Sequence, residues 1–564
     1  MKEQNKERGI TLVALVITII ILLILATISI QSLTNTGLFA KAQEAKEKTK
    51  NAEENQAKIL NEYEDELNKY VSDNKNKTDW TGKVNKPKLM TGMTAIKFNE
   101  PTGDEKAKEG STVKTTDTDT TWYDYDAKKW ANAQTEDGSM WVWIPRYAYK
   151  VNADTKTFDV VFLIGTTDDY YENGVRKTAK RQTKADETVD TTTGYTVHPA
   201  FTNESSIGYA NGGWNQELAG IWVAKFEAGY ATSNGNSAPK KASSVNYSQT
   251  SVWAQSAETG GKDGPLPARN WIDGVYGSTK TSIKYPTFQG LAYSMNYINH
   301  NDAFNISRAL TENGNIYGLS RSTTDSHLMK NSEWGAVAYL AQSKYGLNGT
   351  NIYINNANLR NSQTSAYAIT GCAGETEDAA ELGVKIDNST KKPVSTDNTK
   401  KIYTWTQANG TKASTTGTIY GIYDMSGGAW EKTASLVNNG NGNLSTYGQS
   451  LMNSLVNGKS SQYVTVYPHN ASVDKNGANI NTASQSNWEA NKKIYGDGIR
   501  ETSTAGTGKN SWYTDYSYFP AVDAPFSERG GLYWDGEGAG LFYFFPGDGN
   551  SYFDAGFRSV LVAL

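Results

Sequence analysis

The stretch that decides the fold of the carboxyl-terminal part is GIYDMSGGAWE, from Gly421 to Glu431. Two further motifs follow it along the chain, RGG at 529–531 and GFRSVL at 556–561. Ahead of these motifs, short strand-like runs alternate with long loops rich in Gly, Asn, Ser and Thr. Few long helices, short strands and many loops are typical of the α+β class.

The clearest secondary-structure signals lie upstream of this stretch. Strand-like runs occur at 141–145, 159–164 and 220–226, and an apolar helical pattern occurs at 332–341 after the candidate N-cap Ser332. No segment repeats with a period of 20–50 residues, so the sequence does not favour a solenoid or a propeller.

The three carboxyl-terminal motifs, in this order, resemble the formylglycine-generating-enzyme (sulfatase-modifying-factor) superfamily, a variant of the C-type lectin fold. The resemblance implies a C-type-lectin-like domain over 141–564. Oxidase members of that superfamily hold copper with two cysteines placed shortly after the Gly-Gly pair. The matching offsets carry Asp535 and Gly540 here, and the single cysteine, Cys372, lies far upstream. We therefore predict no copper and no enzyme activity, with a divergent enzyme of the superfamily as the distant alternative.

The same resemblance implies a structural calcium ion beside the Trp-Glu pair. The implied ligands are the carboxylates of Asp424 and Glu431 and the main-chain carbonyls of Gly427 and Ala429. Carboxylate and carbonyl oxygens are the ligands that Ca²⁺ prefers. The alternative is a turn in which Asp424 caps a loop and Glu431 forms a salt bridge.

The tail at 529–564 is rich in aromatic residues that alternate with glycine and acidic residues. Period-2 alternation puts Phe542 and Phe544 on one face, which we predict to be core together with Phe557. Rigid aromatic side chains among Gly, Ser and Asp are typical of a binding surface, whereas a well-packed aromatic core is the alternative. The predicted ligand-binding residues are Leu532, Tyr533, Trp534, Asp535, Tyr543, Phe545, Asp548, Tyr552 and Phe553.

The tail also resembles the variable proteins diversified by diversity-generating retroelements. This resemblance implies that side chains in the tail differ between copies of the gene through mutation of adenines. An Asn codon mutated in this way yields Tyr, Phe, Asp, Ser, Leu or Gly, but neither Trp nor Glu. Trp534 and Glu537 therefore do not fit an Asn codon, whereas the other predicted ligand-binding residues do.

The amino-terminal end predicts a membrane segment. Residues 10–30 contain no charged side chain and follow the charged segment 1–9. As a helix, they would span about 30 Å, the thickness of a bilayer core. Neither Pro nor Gly occurs from Leu38 to Val71, so the helical pattern continues to residue 72. The pattern predicts a single-pass protein of the cell membrane with an extracellular carboxyl-terminal head.

Residues 6–13, KERGITLV, resemble the type IV prepilin leader. The resemblance implies cleavage between Gly9 and Ile10, methylation of Ile10, and a prepilin peptidase and other pilin subunits as partners. Most pilins carry a glutamate five residues after the cut, where this chain has Ala14. That departure resembles minor pilins or pseudopilins at a filament tip. A plain signal anchor, or a coiled-coil stalk for the polar half of the helix, is the alternative.

Taken together, these patterns predict a leader at 1–9, a transmembrane and stalk helix at 10–72, a linker with short strands at 73–140 and the head at 141–564. The net charge of −4 argues against a nucleic-acid partner, and one cysteine excludes an internal disulfide. The predicted function is a pilin-like, membrane-anchored cell-surface protein whose head binds an extracellular protein or glycan. A structural minor pilin at a filament tip, whose head binds only other pilin subunits, is the alternative.

Overall fold

A computed structural model describes residues 15–27, 46–49, 84–101, 112–230, 286–296, 298–361, 365–373, 382–386, 393–395, 401–475, 478–552 and 554–564. The chain divides into two compact units, Met1–Thr78 and Asp79–Leu564.

The first unit contains two described helices, α1 at 15–27 and α2 at 46–49, and their side chains are exposed. At 1.5 Å per residue α1 is about 20 Å long, shorter than the roughly 30 Å core of a bilayer. Within the described ranges, no helix combines the length and the apolar character needed to cross a membrane. The rest of the predicted helix 10–72 lies outside those ranges.

Two predictions are therefore wrong. The fold class, an α+β chain with a long amino-terminal transmembrane and stalk helix, is corrected to a β-rich fold with short helices. The location in the cell membrane through a single-pass anchor is corrected with it, because the described part of the predicted span is a short exposed helix.

The second unit is built mainly from strands. In chain order they are β1 (Met93–Phe98), β2 (Thr112–Lys114), β3 (Asn132–Thr135), β4 (Met140–Pro145), β5 (Tyr147–Asn152), β6 (Thr157–Phe162), β7 (Asp169–Glu172), β8 (Val175–Thr178), β9 (Thr196–Val197), β10 (Gly220–Ala224), β11 (Gly229–Tyr230), β12 (Tyr293–Ser294), β13 (Thr324–Leu328), β14 (Ala357–Asn361), β15 (Ser365–Ala368), β16 (Cys372–Ala373), β17 (Leu382–Ile386), β18 (Pro393–Ser395), β19 (Tyr403–Thr404), β20 (Trp430–Val437), β21 (Thr465–Tyr467), β22 (Phe526–Gly530), β23 (Gly540–Gly547), β24 (Ala555–Phe557) and β25 (Ser559–Ala563).

The described helices of this unit are short. They are α3 (His300–Ala309), α4 (Asn331–Ala341), α5 (Gly442–Asn453), α6 (Ala471–Asp474) and α7 (Ile480–Ala490). The predicted helix at 332–341 is confirmed as α4, which begins one residue earlier. Its first turn is fixed by Glu333, whose carboxylate accepts the backbone N–H of Lys330 at 2.9 Å.

A seven-stranded sheet with the order β13-β25-β10-β4-β3-β1-β2 organises the unit, and its neighbouring strands are antiparallel. Both faces of its central strands are buried. In β4, Trp141 and Trp143 point into one hydrophobic core, whereas Val142 and Ile144 point into another. This is why β4 reads as a continuous apolar run rather than an alternating one.

A helix packs against each face of this sheet. Ala303, Phe304 and Ile306 of α3 pack in the core that contains Trp141. Helix α4 is buried along its whole length in the core that contains Val142. The predicted linker 73–140 contributes β1, β2 and β3 to the sheet, so the sheet begins before the predicted head boundary at residue 141.

A second, five-stranded sheet carries the carboxyl-terminal motifs. Its order is β21-β20-β22-β23, and β24 pairs with β20 in parallel. Smaller sheets join β15-β14-β17-β18, β6-β5-β9, β7-β8, β11-β12 and β16-β19. The chain passes from the second sheet into the first between β24 and β25, so residue 558 connects the two.

Substitution of Gly335 in α4 by alanine should change the free energy of unfolding in the direction opposite to the usual one. Gly→Ala inside a helix ordinarily stabilises by up to about 1 kcal/mol. Here a Cβ would lie 2.1 Å from the backbone oxygen of Gly496. We expect Gly335→Ala to lower the free energy of unfolding by about 1–3 kcal/mol, measured by urea denaturation.

The matched control is Gly442→Ala in the first turn of α5, where an added Cβ meets nothing within 4 Å. That variant should be neutral or slightly stabilising. Equal stability of the two variants would contradict the close packing of α4 against Gly496.

Candidate ligand-binding site

The aromatic tail folds into the second sheet as the hairpin β22–β23. The register pairs Glu528 with Phe545 and Arg529 with Phe544. Phe542, Phe544 and Phe557 are fully buried, which confirms their prediction as core. Alternation along β23 therefore places Tyr543 and Phe545 on the opposite face of the hairpin.

That opposite face is covered in part by Trp430 of the neighbouring motif. The Trp430 indole N–H donates to Tyr543 Oη at 2.8 Å, and its ring stacks on Phe545 with centroids 5.8 Å apart and planes 8° from parallel. Tyr518 contacts Phe545 at 5.3 Å between centroids. Tyr543 is therefore buried, and its predicted exposure is wrong.

The other predicted ligand-binding residues divide by exposure. Leu532 and Tyr533 are fully buried, so they too depart from the expectation of a contact surface. Asp535, Phe545 and Asp548 are half-buried, and Phe553 lies outside the described residues. Trp534 is 42% exposed and Tyr552 is 41% exposed.

We call five half-buried or exposed rings of this region the aromatic face: Phe545 contacts Trp430 and Tyr518, and Trp534 and Tyr552 lie in the loops on either side of β23. The residues that the sequence analysis did not assign to it are Trp430 and Tyr518. Trp430 belongs to the motif at 421–431, but its contact with the tail depends on the pairing of β20 with β22. The aromatic run YTDYSYF at 513–519 was the available signal for Tyr518.

Carboxylates lie beside these rings. Asp535 accepts the backbone N–H of Leu532 at 3.1 Å, and burial raises its pKa although hydrogen bonds from Leu532, Trp430 and Tyr543 oppose the shift. Burial and the nearby Glu528 carboxylate raise the pKa of Asp554 to about 7. Asp548 accepts a hydrogen bond from Tyr552 Oη at 2.7 Å.

Three of the four residues implied as calcium ligands, Asp424, Gly427 and Ala429, lie in the tight turn that precedes β20, and Glu431 is the second residue of that strand. Asp424 has a positive φ of 63°, and its carboxylate accepts hydrogen bonds from Asn355 and from the backbone of Gly371. Gly427 and Gly428 also have positive φ, and the Gly427 N–H donates to Gly530, whereas Ala429 donates its N–H to Glu227.

Glu431 has a different partner from the one implied. Its carboxylate accepts two hydrogen bonds from the Arg558 guanidinium, one of them 2.9 Å long. Both side chains are buried. The structure therefore contains the salt bridge that was the alternative for Glu431. A calcium ion would have to compete with Arg558 for the Glu431 carboxylate. Among the described residues, no group of three or more His, Cys, Asp and Glu side chains is arranged to hold a metal ion.

Glu227 adds a third carboxylate to this buried group. Burial, followed by the charges of Asp424 and Glu431, raises the pKa of Glu227 well above its ordinary value. Burial raises the pKa of Asp424 to about 6 and that of Glu431 to about 7, against the opposing effect of Arg558. One guanidinium therefore holds a cluster of three acids, which suits a structural centre.

A second buried ionic group joins β13 to α4. His327 contacts Asp325 through Nδ1 and Glu333 through Nε2, each at 2.8 Å. Burial disfavours the charged ring, but the two carboxylates outweigh burial and raise the pKa of His327. Two acceptors at the two ring nitrogens match an imidazolium, which donates from both.

The predicted cleavage residues Gly9 and Ile10 lie outside the described residues, as does Ala14. Cleavage, methylation and the pilin partners therefore stay predictions. Searches with protein-family models and against curated proteins found no match to this chain.

The Arg558–Glu431 pair predicts a large loss of stability when one partner is removed. Arg558→Met would leave buried carboxylates without their cation, so we expect a loss of about 3–5 kcal/mol in the free energy of unfolding. The double variant Arg558→Met/Glu431→Gln should regain much of the lost free energy of unfolding. Additive losses in urea denaturation would contradict the pairing.

His327 predicts a pH-dependent contribution to stability. A folded-state pKa above the ordinary 6.5 stabilises the fold fully below about pH 6.5, and this stabilisation is lost as the pH rises through the folded-state value. The free-energy difference between the wild type and His327→Gln should therefore be larger at pH 6 than at pH 9. A difference independent of pH would contradict a charged imidazole.

Proposed function

We propose that this chain is a ligand-binding protein that holds a protein or glycan on the aromatic face of its second sheet. One observation carries the proposal. Among the described residues, Trp534 and Tyr552 are the two most exposed aromatic side chains, and both belong to the tail. A few exposed Trp and Tyr side chains on a rigid support dominate the energy of many interfaces.

The support under the face is rigid. Phe542 and Phe544 anchor β23 from below, and Trp430 is fixed by its hydrogen bond to Tyr543 and its stack on Phe545. A pre-organised surface binds with less loss of side-chain entropy than a mobile one. The geometry therefore supports recognition by the exposed rings, while the buried Tyr543 positions Trp430.

We infer binding rather than catalysis from Asp535 and Gly540, which stand where the oxidases that this chain resembles carry their copper-binding cysteines. An added Cβ at Gly540 would lie 2.2 Å from Asp515 Oδ1, so the site has no room for a side chain. Asp535 hydrogen-bonds within its own loop. Cys372 is buried, and burial raises the pKa of its thiol well above the ordinary value, which disfavours the reactive thiolate.

If the tail is diversified by a retroelement, its positions will not tolerate change equally. Substitution of Leu532, Tyr533 or Tyr543 removes a buried side chain and costs folding free energy. Substitution of Tyr552 changes an exposed ring instead. Variation would therefore be concentrated at the exposed and half-buried positions of the tail.

The proposal predicts that the exposed rings carry affinity but little stability. We would screen the full chain on an array of immobilised peptides and glycans and remeasure each bound probe with Trp534→Ala/Tyr552→Ala. The double variant should lose at least about tenfold in affinity, with a change in the free energy of unfolding within about 1 kcal/mol. Tyr543→Ala should instead melt well below the wild type.

The control is Val175→Ala/Val456→Ala, which shortens two exposed apolar side chains outside the tail. It should leave binding unchanged. Equal affinity of the bound probes for the wild type and for Trp534→Ala/Tyr552→Ala would contradict the proposed function. An array on which no probe binds would also contradict it.

A further inference from the structure

The aromatic face carries more negative than positive charge. Asp535, Asp548 and Asp554 form no ion pair with any described cation. Two lysines do lie close by, and each already has an acidic partner. Lys432 contacts Glu528 at 2.7 Å, and Lys509 contacts Glu537 at 2.9 Å. Asp554 is itself buried, so Asp535 and Asp548 are the carboxylates left beside the rings without a salt-bridge partner, and the charge of Lys509 opposes the burial that raises the pKa of Asp535.

These carboxylates lie next to aromatic rings rather than apart from them. Trp430 donates its backbone N–H to the Asp554 carbonyl at 2.8 Å, and Asp535 lies within hydrogen-bond contact of the Trp430 and Tyr543 side chains. Asp548 is bound by Tyr552. Ring faces attract cations through their quadrupole, most strongly for Trp, and adjacent carboxylates add a direct Coulomb attraction.

The acidic positions are separated along β23. Asp535 lies beside Tyr543, whereas Asp548 directly follows Gly547, the last residue of the strand. Gly547 is the fourth residue after Tyr543, and at about 3.4 Å per residue the two Cα atoms are about 14 Å apart along the strand. A single amine cannot reach both positions, but an extended peptide with basic side chains four residues apart matches the spacing.

We propose that the occupant of the aromatic face is an extended basic segment of a protein partner, with one lysine or arginine at Trp430 and Asp535 and another at Tyr552 and Asp548. This inference rests on the proposed binding function and adds the class of ligand. The hydroxyls of a neutral sugar donate hydrogen bonds to carboxylates but leave their negative charge uncompensated, and burying an uncompensated charge is costly. A cation offsets that cost and places the specificity in the spacing of the basic groups.

The test measures the full chain against four probes by fluorescence anisotropy and competition. The first is a labelled peptide, Lys-Gly-Ser-Gly-Lys, and the second is Glu-Gly-Ser-Gly-Glu. Spermidine represents a free amine, and maltoheptaose represents a neutral glycan. The lysine peptide should bind at least about tenfold more tightly than the other three, and added salt should weaken it.

The variants Asp535→Asn and Asp548→Asn should each weaken the lysine peptide several-fold without lowering the melting temperature. The control Asp126→Asn removes an exposed carboxylate outside the face and should change nothing. A further variant, Trp534→Ala, removes an exposed ring of the aromatic face and should also weaken binding of the lysine peptide.

Several outcomes would overturn the inference. Equal binding of the lysine and glutamate peptides excludes charge selection, and equal binding of spermidine excludes a peptide occupant. Binding of maltoheptaose that Trp534→Ala abolishes and Asp535→Asn leaves intact would overturn the basic ligand while leaving the proposed function in place. Failure of all four probes would overturn the basic ligand, and the array of peptides and glycans would then decide the function separately.

Discussion

The buried guanidinium of Arg558 is the contact on which the two main sheets depend. Besides its two hydrogen bonds to Glu431 in β20, it donates to the carbonyl of Ala224 at 2.7 Å and to that of Tyr423 at 2.8 Å. The residue stands between β24, which pairs with the second sheet, and β25, which lies inside the first. One planar group with a fixed fork of donors thereby fixes the angle at which the chain leaves one sheet and enters the other.

Local sequence patterns predicted the central elements well. The runs at 141–145 and 220–226 are β4 and β10, and the run at 159–164 overlaps β6. Strands β4 and β10 are apolar on both faces because a hydrophobic core lies on each side of their sheet, and that burial is visible in composition alone. Helix α4 was found for the same reason. The amino-terminal prediction of a membrane-spanning helix was wrong: an apolar run in the sequence indicates hydropathy, whereas no helix within the described residues is long and apolar enough to cross a membrane.

The candidate site was predictable only in part. Alternation along β23 correctly separated Phe542 and Phe544 from Tyr543 and Phe545, because side chains of a strand point to opposite faces. Alternation does not reveal what covers the second face. Trp430 reaches Tyr543 across a sheet that joins distant parts of the chain, so the burial of Tyr543 follows from tertiary pairing. The same limit applies to Glu431, whose partner lies on another strand.

The position of β25 in the first sheet has a consequence for biosynthesis. It separates β13 from β10, although residues 559–563 are translated long after both neighbours. A nascent chain that has not yet released this segment from the ribosome exposes two unpaired strand edges, which are sites for pairing with other chains. Closing such long-range contacts is also slow. The second unit must therefore complete its folding after synthesis of β25, and a chaperone that shields strand edges would act in that interval.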